Sequence, residues 1–470
     1  MPSRRPTTLP LALLLVSRAA LADPEPPVEE MELELESAPP PAPAPPPPVP
    51  VAPPPAPPPA PPAPLPAPPV IQEEPDTKVA SLLRDVVVSG YVQTQVFFNQ
   101  LSEDELSPDG DPLNFDRFLV RRGRLRVTRA FEYGLVDIEV DANTVSGIGV
   151  TARTAEVTVL YPNRDDPGAP PLISLAAGLG DIPFGYEVVE SNRDRLFLER
   201  STGSRAMFVG NPDVGARVAG GLGPVRYAVA VQNGVPIPDG PDFDIQVYQA
   251  RKTIVGRLGF EVGGPESHHG RGGVSLLDGR GFHHGTPATK SQLLWSDFNQ
   301  DGNVTLDELV SINGQAASPS ATFHQWAVNA DAGVGIESPI GRTELFAEAT
   351  LATNLDRGLF VADPISTGYD LRELTWVAGA THEIAERVIL GFRADMYDPN
   401  ADLFESRRGL FIPADLSILT LSPILGVGVR DLGRLVVQYD YVADHLGRDV
   451  RGEPIDVPND TWTIRAQMEF

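Results

Sequence analysis

The chain has 470 residues, a formal net charge of -26, 50 prolines, 43 glycines and no cysteine. The lack of cysteine excludes a disulfide scaffold and a thiolate metal or redox site, and the acidic balance argues against a nucleic-acid partner. No stretch offers the roughly 20 uninterrupted apolar residues of a membrane helix. A chain without a membrane helix is therefore expected to be either soluble or a β-barrel.

The first 22 residues have the pattern of a secretory signal peptide. Arg4 and Arg5 precede a short apolar run over 9–16, and an Ala-Leu-Ala sequence supplies the small residues of a cleavage site. We predict a signal peptide over 1–22 and a mature chain that begins at Asp23.

Residues 23–85 form an acidic and proline-rich segment that is predicted to be disordered. From 38 to 69 it is almost entirely proline and alanine. Such sequence adopts extended polyproline II at about 3.1 Å per residue, so this part reaches on the order of 100 Å. Two interpretations stay open: a solubilising tail, or a periplasmic tether that contacts the cell wall.

From residue 86 onward, short alternating segments are separated by turn residues, and we predict a 16-stranded antiparallel transmembrane β-barrel over 86–470. Tight turns such as 131–134 and 338–341 alternate with longer loops such as 180–213 and 281–322, as in outer-membrane barrels. The predicted strands are 86–98, 117–129, 134–142, 152–161, 171–179, 214–222, 224–233, 250–262, 271–280, 323–337, 340–352, 372–383, 387–398, 417–429, 432–443 and 460–470.

The last predicted strand, TWTIRAQMEF, has two distinct faces. Trp462 and Met468 belong to the apolar face, which is expected to contact lipid, whereas Arg465 and Gln467 belong to the polar face. The chain ends on the aromatic Phe470 at an outward position, as outer-membrane barrels commonly do.

Four stretches resemble the phosphate-selective porin O and P family of outer-membrane porins. They are VSGYVQTQVFF (88–98), FLVRRGRLRV (118–127), AAGLGDIPFGYEVVESNRDRLFLERS (176–201) and DVGARVAGGLGPVRYAVAVQNG (213–234). The resemblance covers 86–280 and becomes loose beyond. It implies a homotrimeric passive channel in the outer membrane, surrounded by lipid, whose loop 180–213 folds inward as a constriction.

Charged residues on the second and third strands are candidates for the pore lining. The second strand carries an arginine ladder, Arg122, Arg124 and Arg126, on one face and Leu119, Leu125 and Val127 on the other. The third strand carries three carboxylates on one face: Asp137, Glu139 and Asp141. A free ladder would attract anions such as phosphate, whereas cross-strand ion pairs would neutralise it. The constriction loop adds Arg193, Arg195 and Arg200 among acidic neighbours, so the sign of selectivity stays open.

The stretch DFNQDGNVTLDEL (297–309) matches the loop of an EF-hand, and we predict a structural Ca²⁺ site over 297–308 on the extracellular rim. Gly302 occupies the sixth position, where the sharp turn needs a residue without Cβ. The short flank 309–315 leaves room for at most a couple of helical turns. The pattern assigns the calcium ligands to Asp297, Asn299, Asp301, Asn303, Thr305 and Glu308.

Histidines do not form an evident site. The pairs at 268–269 and 283–284 flank one predicted strand, which places them roughly 45 Å apart at about 3.3 Å per residue. No motif places a nucleophile or an acid beside His324, His382 or His445, so an enzyme is not expected. The leading hypothesis is a porin. The alternative is a non-conducting outer-membrane structural protein, tethered toward the cell wall by its proline-rich segment.

Overall fold

The structure, a computed structural model, describes residues 86–100, 116–145, 147–163, 170–209, 212–234, 252–264, 268–283, 285–303, 305–385, 387–407, 409–429, 432–448 and 454–470. The predicted signal peptide and the acidic, proline-rich segment lie outside the described residues. Among the described residues, none of the helices has the length and apolar character needed to cross a bilayer.

Most of the described chain is β-strand, because alternating apolar and polar side chains suit a sheet with one face in lipid and one in water. The barrel strands are β1 (Val86–Asn99), β2 (Arg117–Phe131), β3 (Gly134–Asn143), β4 (Gly149–Tyr161), β5 (Ile173–Asp181), β6 (Pro212–Leu222), β7 (Val225–Gln232), β8 (Thr253–Val262), β9 (His269–His283), β12 (Ala321–Ser338), β13 (Gly341–Thr353), β14 (Arg372–Ile384), β15 (Val388–Asp398), β18 (Ile418–Val429), β19 (Gly433–Asp444) and β22 (Thr461–Glu469).

Each barrel strand pairs antiparallel with its neighbours along the chain, and β22 pairs with β1 to close the barrel. Closure leaves no unpaired sheet edge, which a membrane-spanning sheet cannot tolerate. The predicted 16-stranded antiparallel barrel is confirmed.

The loops contain small elements that the sequence patterns did not indicate. Three are two-stranded sheets: β10 (Gln292–Trp295) with β11 (Leu309–Ile312), β16 (Phe404–Arg407) with β17 (Leu410–Pro413), and β20 (Gly447–Arg448) with β21 (Pro454–Ile455). Short helices span Thr202–Met207 and Pro364–Thr367, and a 3₁₀ turn spans Leu306–Glu308.

The two faces of the wall differ as the alternation predicts. Large apolar side chains cover the outside, among them Val229, Ile254, Leu258, Val274, Leu276, Leu425, Trp462 and Met468. Polar side chains are buried inside, among them Gln93, Gln95, Ser275, Asn329, Asp395, Gln438, Arg465 and Gln467. Short turns lie at one rim and long loops at the other; in outer-membrane barrels these are the periplasmic and the extracellular rim.

A β-bulge on β2 changes the predicted facing of its first half. The pairing of β1 with β2 shifts between Gln93 and Thr94, and Arg121 is the extra residue. On the N-terminal side of the bulge, the inward and outward positions are exchanged. Leu119 was predicted to share the apolar face of Leu125 and Val127, but it is only 7% exposed. Phe118, its neighbour, is 83% exposed and faces outward. The prediction for Leu119 was wrong because strict period-two alternation does not allow for an inserted residue.

Candidate channel and calcium loop

The loop between β5 and β6, called the constriction loop here, folds into the lumen and packs on the wall through two apolar clusters. The first joins it to β8, β9, β12 and β13 through Ile182, Phe184, Val188, Met207, Phe208, Val255, Leu277, Ala327, Ala352 and Leu355. The second joins it to β15, β18 and β19 through Phe197, Leu198, Ile389, Ile424 and Val436. Burial of this apolar surface holds the loop inside the barrel.

Glu199 binds the same loop to the opposite part of the wall. Its carboxylate accepts hydrogen bonds from Arg121 at 2.8 Å and from Arg122 and Arg465 at 2.9 Å each. Burial opposes ionisation of Glu199, but the guanidinium groups of Arg122, Arg121 and Arg465 outweigh it and hold its pKa well below the ordinary value. The bulge on β2 is what lets two consecutive arginines reach one carboxylate.

Further contacts fix both ends of the loop. Glu348 on β13 accepts hydrogen bonds from the backbone N–H groups of Tyr186 at 3.0 Å and Glu187 at 2.8 Å. The extracellular loop between β13 and β14 also reaches the short helix of the constriction loop, because the N–H groups of Arg357 and Gly358 both donate to the Ala206 carbonyl at 2.9 Å. A second inward contact thus supports the constriction.

Two cavities large enough for a solute lie beside the constriction loop among the described residues. The first, called the passage, has a volume of about 260 Å³ and lies between residues 188–192 of the loop and strands β2 to β6. The second, called the vestibule, has a volume of about 750 Å³ and opens toward the periplasmic rim, where Val429, Leu432, Gly433 and Phe470 line it. Glu190 lines both cavities.

The predicted arginine ladder is held in ion pairs. Arg126 pairs with Asp137 at 2.5 Å, Arg124 pairs with Glu139 at 3.1 Å and with Asp141 at 3.4 Å. Arg122 instead pairs with Glu199. The cross-strand neutralisation that the sequence allowed is therefore present for two of these three arginines.

The three predicted arginines of the constriction loop have separate environments. Arg193 pairs with Glu469 at 2.6 Å, and Arg195 is buried and pairs with Glu190 at 2.9 Å. Arg200 is buried and donates to the Val188 carbonyl at 3.3 Å. The structure does not gather these guanidinium groups into a single anion site on the described residues.

Sequence reasoning missed other charged groups of the lumen. They are Arg121, Arg153, Glu156, Arg217 and Glu348. Glu156, Arg217 and Glu348 alternate with outward apolar positions on their strands, so their signal was present in the sequence. Arg121 and Arg153 are the inserted residues of bulges on β2 and β4, which alternation does not reveal. The sequence did not show, however, which of these side chains form ion pairs with the constriction loop, as Arg121 does with Glu199.

The predicted calcium loop closes a hairpin and is not flanked by helices. Strands β10 and β11 pair directly, with Trp295 opposite Leu309. The helical turns allowed after residue 309 are replaced by strand, because Leu309, Val310 and Ile312 favour a pleated conformation. Gly302 has φ of 79°, the left-handed conformation that its position requires.

The first and last ligand positions of the predicted calcium loop, Asp297 and Glu308, have oxygen atoms turned toward the loop. Asp297 accepts hydrogen bonds from the N–H groups of Asp301 and Gly302, at 3.1 and 2.8 Å. Glu308 is only 4% exposed, although its described neighbours over 286–320 are mostly exposed, and its Oε1 atom has no hydrogen-bond partner. Its Oε2 atom accepts from Thr305 N–H at 2.8 Å.

The same loop does not gather its acidic side chains. Among the described residues, no group of three His, Cys, Asp or Glu side chains lies close enough together to hold a metal ion. The backbone turn at Gly302 and the types of oxygen donor fit calcium. The carboxylates, however, accept hydrogen bonds from N–H groups of the loop and do not converge on one point.

No protein family and no curated protein matches this sequence, so the resemblance to the phosphate-selective porins is not confirmed. Among solved structures, the chain is similar to the outer membrane channel DcaP of Acinetobacter baumannii, with 13% identity, a TM-score of 0.50, and coverage of 82% of this chain and 97% of that one. It is also similar to Pseudomonas putida OprB, with 11% identity, a TM-score of 0.51, and coverage of 84% and 96%. These likenesses show the fold alone. A closed 16-stranded barrel with an apolar exterior suits a lipid bilayer, and the chain is an outer-membrane protein.

Proposed function

We propose that the protein is an outer-membrane porin through which small hydrophilic solutes diffuse passively. The observation that carries this proposal is the charged passage of about 260 Å³, left open beside the constriction loop and lined by Arg126, Glu139, Glu156 and Arg217 among others. A plugged structural barrel has no need of a charged cavity beside its constriction loop. Water and solutes with matching hydrogen-bonding groups fit such a lining.

Reconstitution in planar bilayers tests the proposal. We expect stepwise ohmic conductance from the purified, folded barrel. A silent bilayer that contains a stable, heat-modifiable barrel would instead support the alternative, a structural protein tethered toward the cell wall.

The resemblance to porins also supports a homotrimer, which we propose as the assembled state. Native mass spectrometry of the detergent-solubilised protein distinguishes a trimer from a monomer. Cell-wall contact is tested separately, by comparing peptidoglycan sedimentation of the full mature chain with that of a chain lacking 38–69.

We further propose that the loop over 297–308 binds Ca²⁺. Calcium takes about six to eight oxygen ligands, and the inward, unpartnered Glu308 Oε1 atom lies at the position where the pattern places a bidentate carboxylate. The ion would neutralise the acidic residues of the loop. The side chains of Asp297, Asn299, Asp301 and Glu308, together with Thr305 and the carbonyl of Asn303, would hold it.

Calcium is expected to raise the protease resistance of 281–322 in the intact barrel, because it would hold Asp297 and Glu308 together at the tip of the exposed β10–β11 hairpin. The double variant Asp297→Ala, Glu308→Ala should lose this protection while the barrel stays heat-modifiable. Asp307→Ala is the matched control, since Asp307 is acidic but outside the ligand pattern. Calorimetry that detects no binding to the wild-type barrel at millimolar calcium would contradict the proposal.

A further inference from the structure

The constriction loop is bound to most of the wall and leaves a cavity large enough for a solute beside strands β2 to β6. On its packed side, Thr202 N–H donates to Asp395 on β15 at 2.9 Å, and Leu198 N–H donates to Gln438 on β19 at 2.9 Å. The cavity between this loop and strands β13 and β14 has a volume of about 10 Å³, too small for a solute. Solute therefore has to pass on the side of β2 to β6.

The charged side chains on the wall of the passage are held in ion pairs of opposite sign. Each carboxylate that lines it lies within ion-pair distance of its own guanidinium group. The pairs are Asp137–Arg126 at 2.5 Å, Glu139–Arg124 at 3.1 Å, Glu156–Arg217 at 2.9 Å, Asp181–Arg153 at 3.4 Å and Glu190–Arg195 at 2.9 Å. Four of these guanidinium groups belong to the lining, and Arg195 lies outside it as the partner of Glu190. Each lining carboxylate is therefore neutralised by a guanidinium group.

The loop side of the passage is almost uncharged. It consists of Val188, Val189, Ser191 and Asn192, with Glu190 held by Arg195. A field across the passage needs opposite charges on opposite sides, whereas here both signs alternate along the same wall. Paired charges cancel one another over distances longer than their separation, so the passage does not concentrate ions of one sign.

We infer that solutes cross between Val189 and strands β2 to β6, and that the passage admits small polar solutes and ions of either sign without preferring anions. This inference rests on the proposed porin function and specifies its selectivity. The residues that set the neutrality are the wall pairs, chiefly Arg126 with Asp137.

The route is tested by single-cysteine labelling, for which the cysteine-free chain is suited. Val189 is about half exposed, and Val189→Cys should react with a charged methanethiosulfonate and lose about half of its conductance or more, because the label fills the narrow section. Ala206→Cys should stay unlabelled, since Ala206 is fully buried. Ser320→Cys, on an exposed loop, should label without a change in conductance.

Labelling of Val189→Cys, verified by mass, with unchanged conductance would overturn the route. Labelling of Ala206→Cys would overturn the packing on which the route depends. If the wild-type protein gives no conductance in a planar bilayer, the proposed porin function itself is contradicted, which is distinct from a failure of the route.

Neutrality is tested by the reversal potential in a potassium chloride gradient. The wild-type value should lie near zero. Arg126→Gln should shift it toward cations, Asp137→Asn toward anions, and the double variant should return it to the wild-type value because both charges of one pair are removed. A strongly anion-selective wild type, or single variants without opposite shifts, would overturn the inference.

Discussion

Replacing Glu199 by alanine is expected to enlarge the open channel and to make its current unstable. Glu199 is the common partner of Arg121, Arg122 and Arg465, and no other carboxylate is paired with these three guanidinium groups on the described residues. Removing one member of a buried ion pair costs about 3–5 kcal/mol, because the remaining charges stay buried without compensation. The three arginines would then repel one another and push the loop away from β1, β2 and β22.

The apolar clusters on the other side of the lumen should keep the loop inside the barrel, so the Glu199→Ala barrel should still fold. Single-channel recording measures the expected rise in conductance and the added current fluctuations. Glu261→Gln is the matched control: it removes an ion pair with Arg226 whose carboxylate is exposed and remote from the loop. Unchanged conductance in Glu199→Ala would mean that apolar packing alone positions the constriction.

The pH dependence of this contact follows from the lowered pKa of Glu199. A carboxyl whose pKa is lower in the folded than in the unfolded state contributes stability above its ordinary value of 4.5, and loses it as the pH falls through the lowered value. The ion pairs of Glu199 therefore remain intact at neutral pH.

The strands were predictable from the sequence because alternation and loop length are local signals. Each predicted strand overlaps a barrel strand, and the polar face of β22 lies inside as expected. The packing of the lumen was not predictable in the same way. Val255 on β8 and Ile424 on β18 are apolar yet point inward, because they meet Ile182, Phe184 and Phe197 on a loop distant in sequence. Apolar residues on both faces of β8 and β18 were the available signal for this packing.

The calcium loop shows a related limit. Its spacing specifies which oxygens stand at which loop positions, and the observed turn at Gly302 agrees with it. The flanking elements depend on pairing between Leu294 and Val310 across the whole loop. Cross-strand pairs of this kind are set by residues far apart in sequence, so the hairpin stem was not foreseen.

Deleting Phe470 is expected to reduce sharply the amount of folded barrel in the outer membrane. The N–H of Phe470 donates to the Gly90 carbonyl at 3.0 Å, and the N–H of Gly90 donates to the Phe470 carbonyl at 2.9 Å. These bonds complete the seam between β1 and β22 at the periplasmic rim, where the two ends of the barrel meet. Loss of the residue removes both bonds and an aromatic side chain that covers Gly90, and heat-modifiable electrophoresis measures the result.

Gly90→Val should damage the same seam from its other side. A Cβ at residue 90 would lie 2.4 Å from the carbonyl oxygen of Arg124 and 2.5 Å from the ring of Phe470. The ring can rotate away, but the carbonyl belongs to the paired strand β2, so Gly90→Val should misfold even when combined with Phe470→Ala. Gly256→Val on β8 is the control, because a Cβ there meets no atom within 4 Å. If both Gly90→Val and the Phe470 deletion gave normal amounts of heat-modifiable barrel, the prediction would be contradicted. The residue pairs of β1 with β22 from Tyr91–Glu469 to Asn99–Thr461 would then be sufficient to close the barrel.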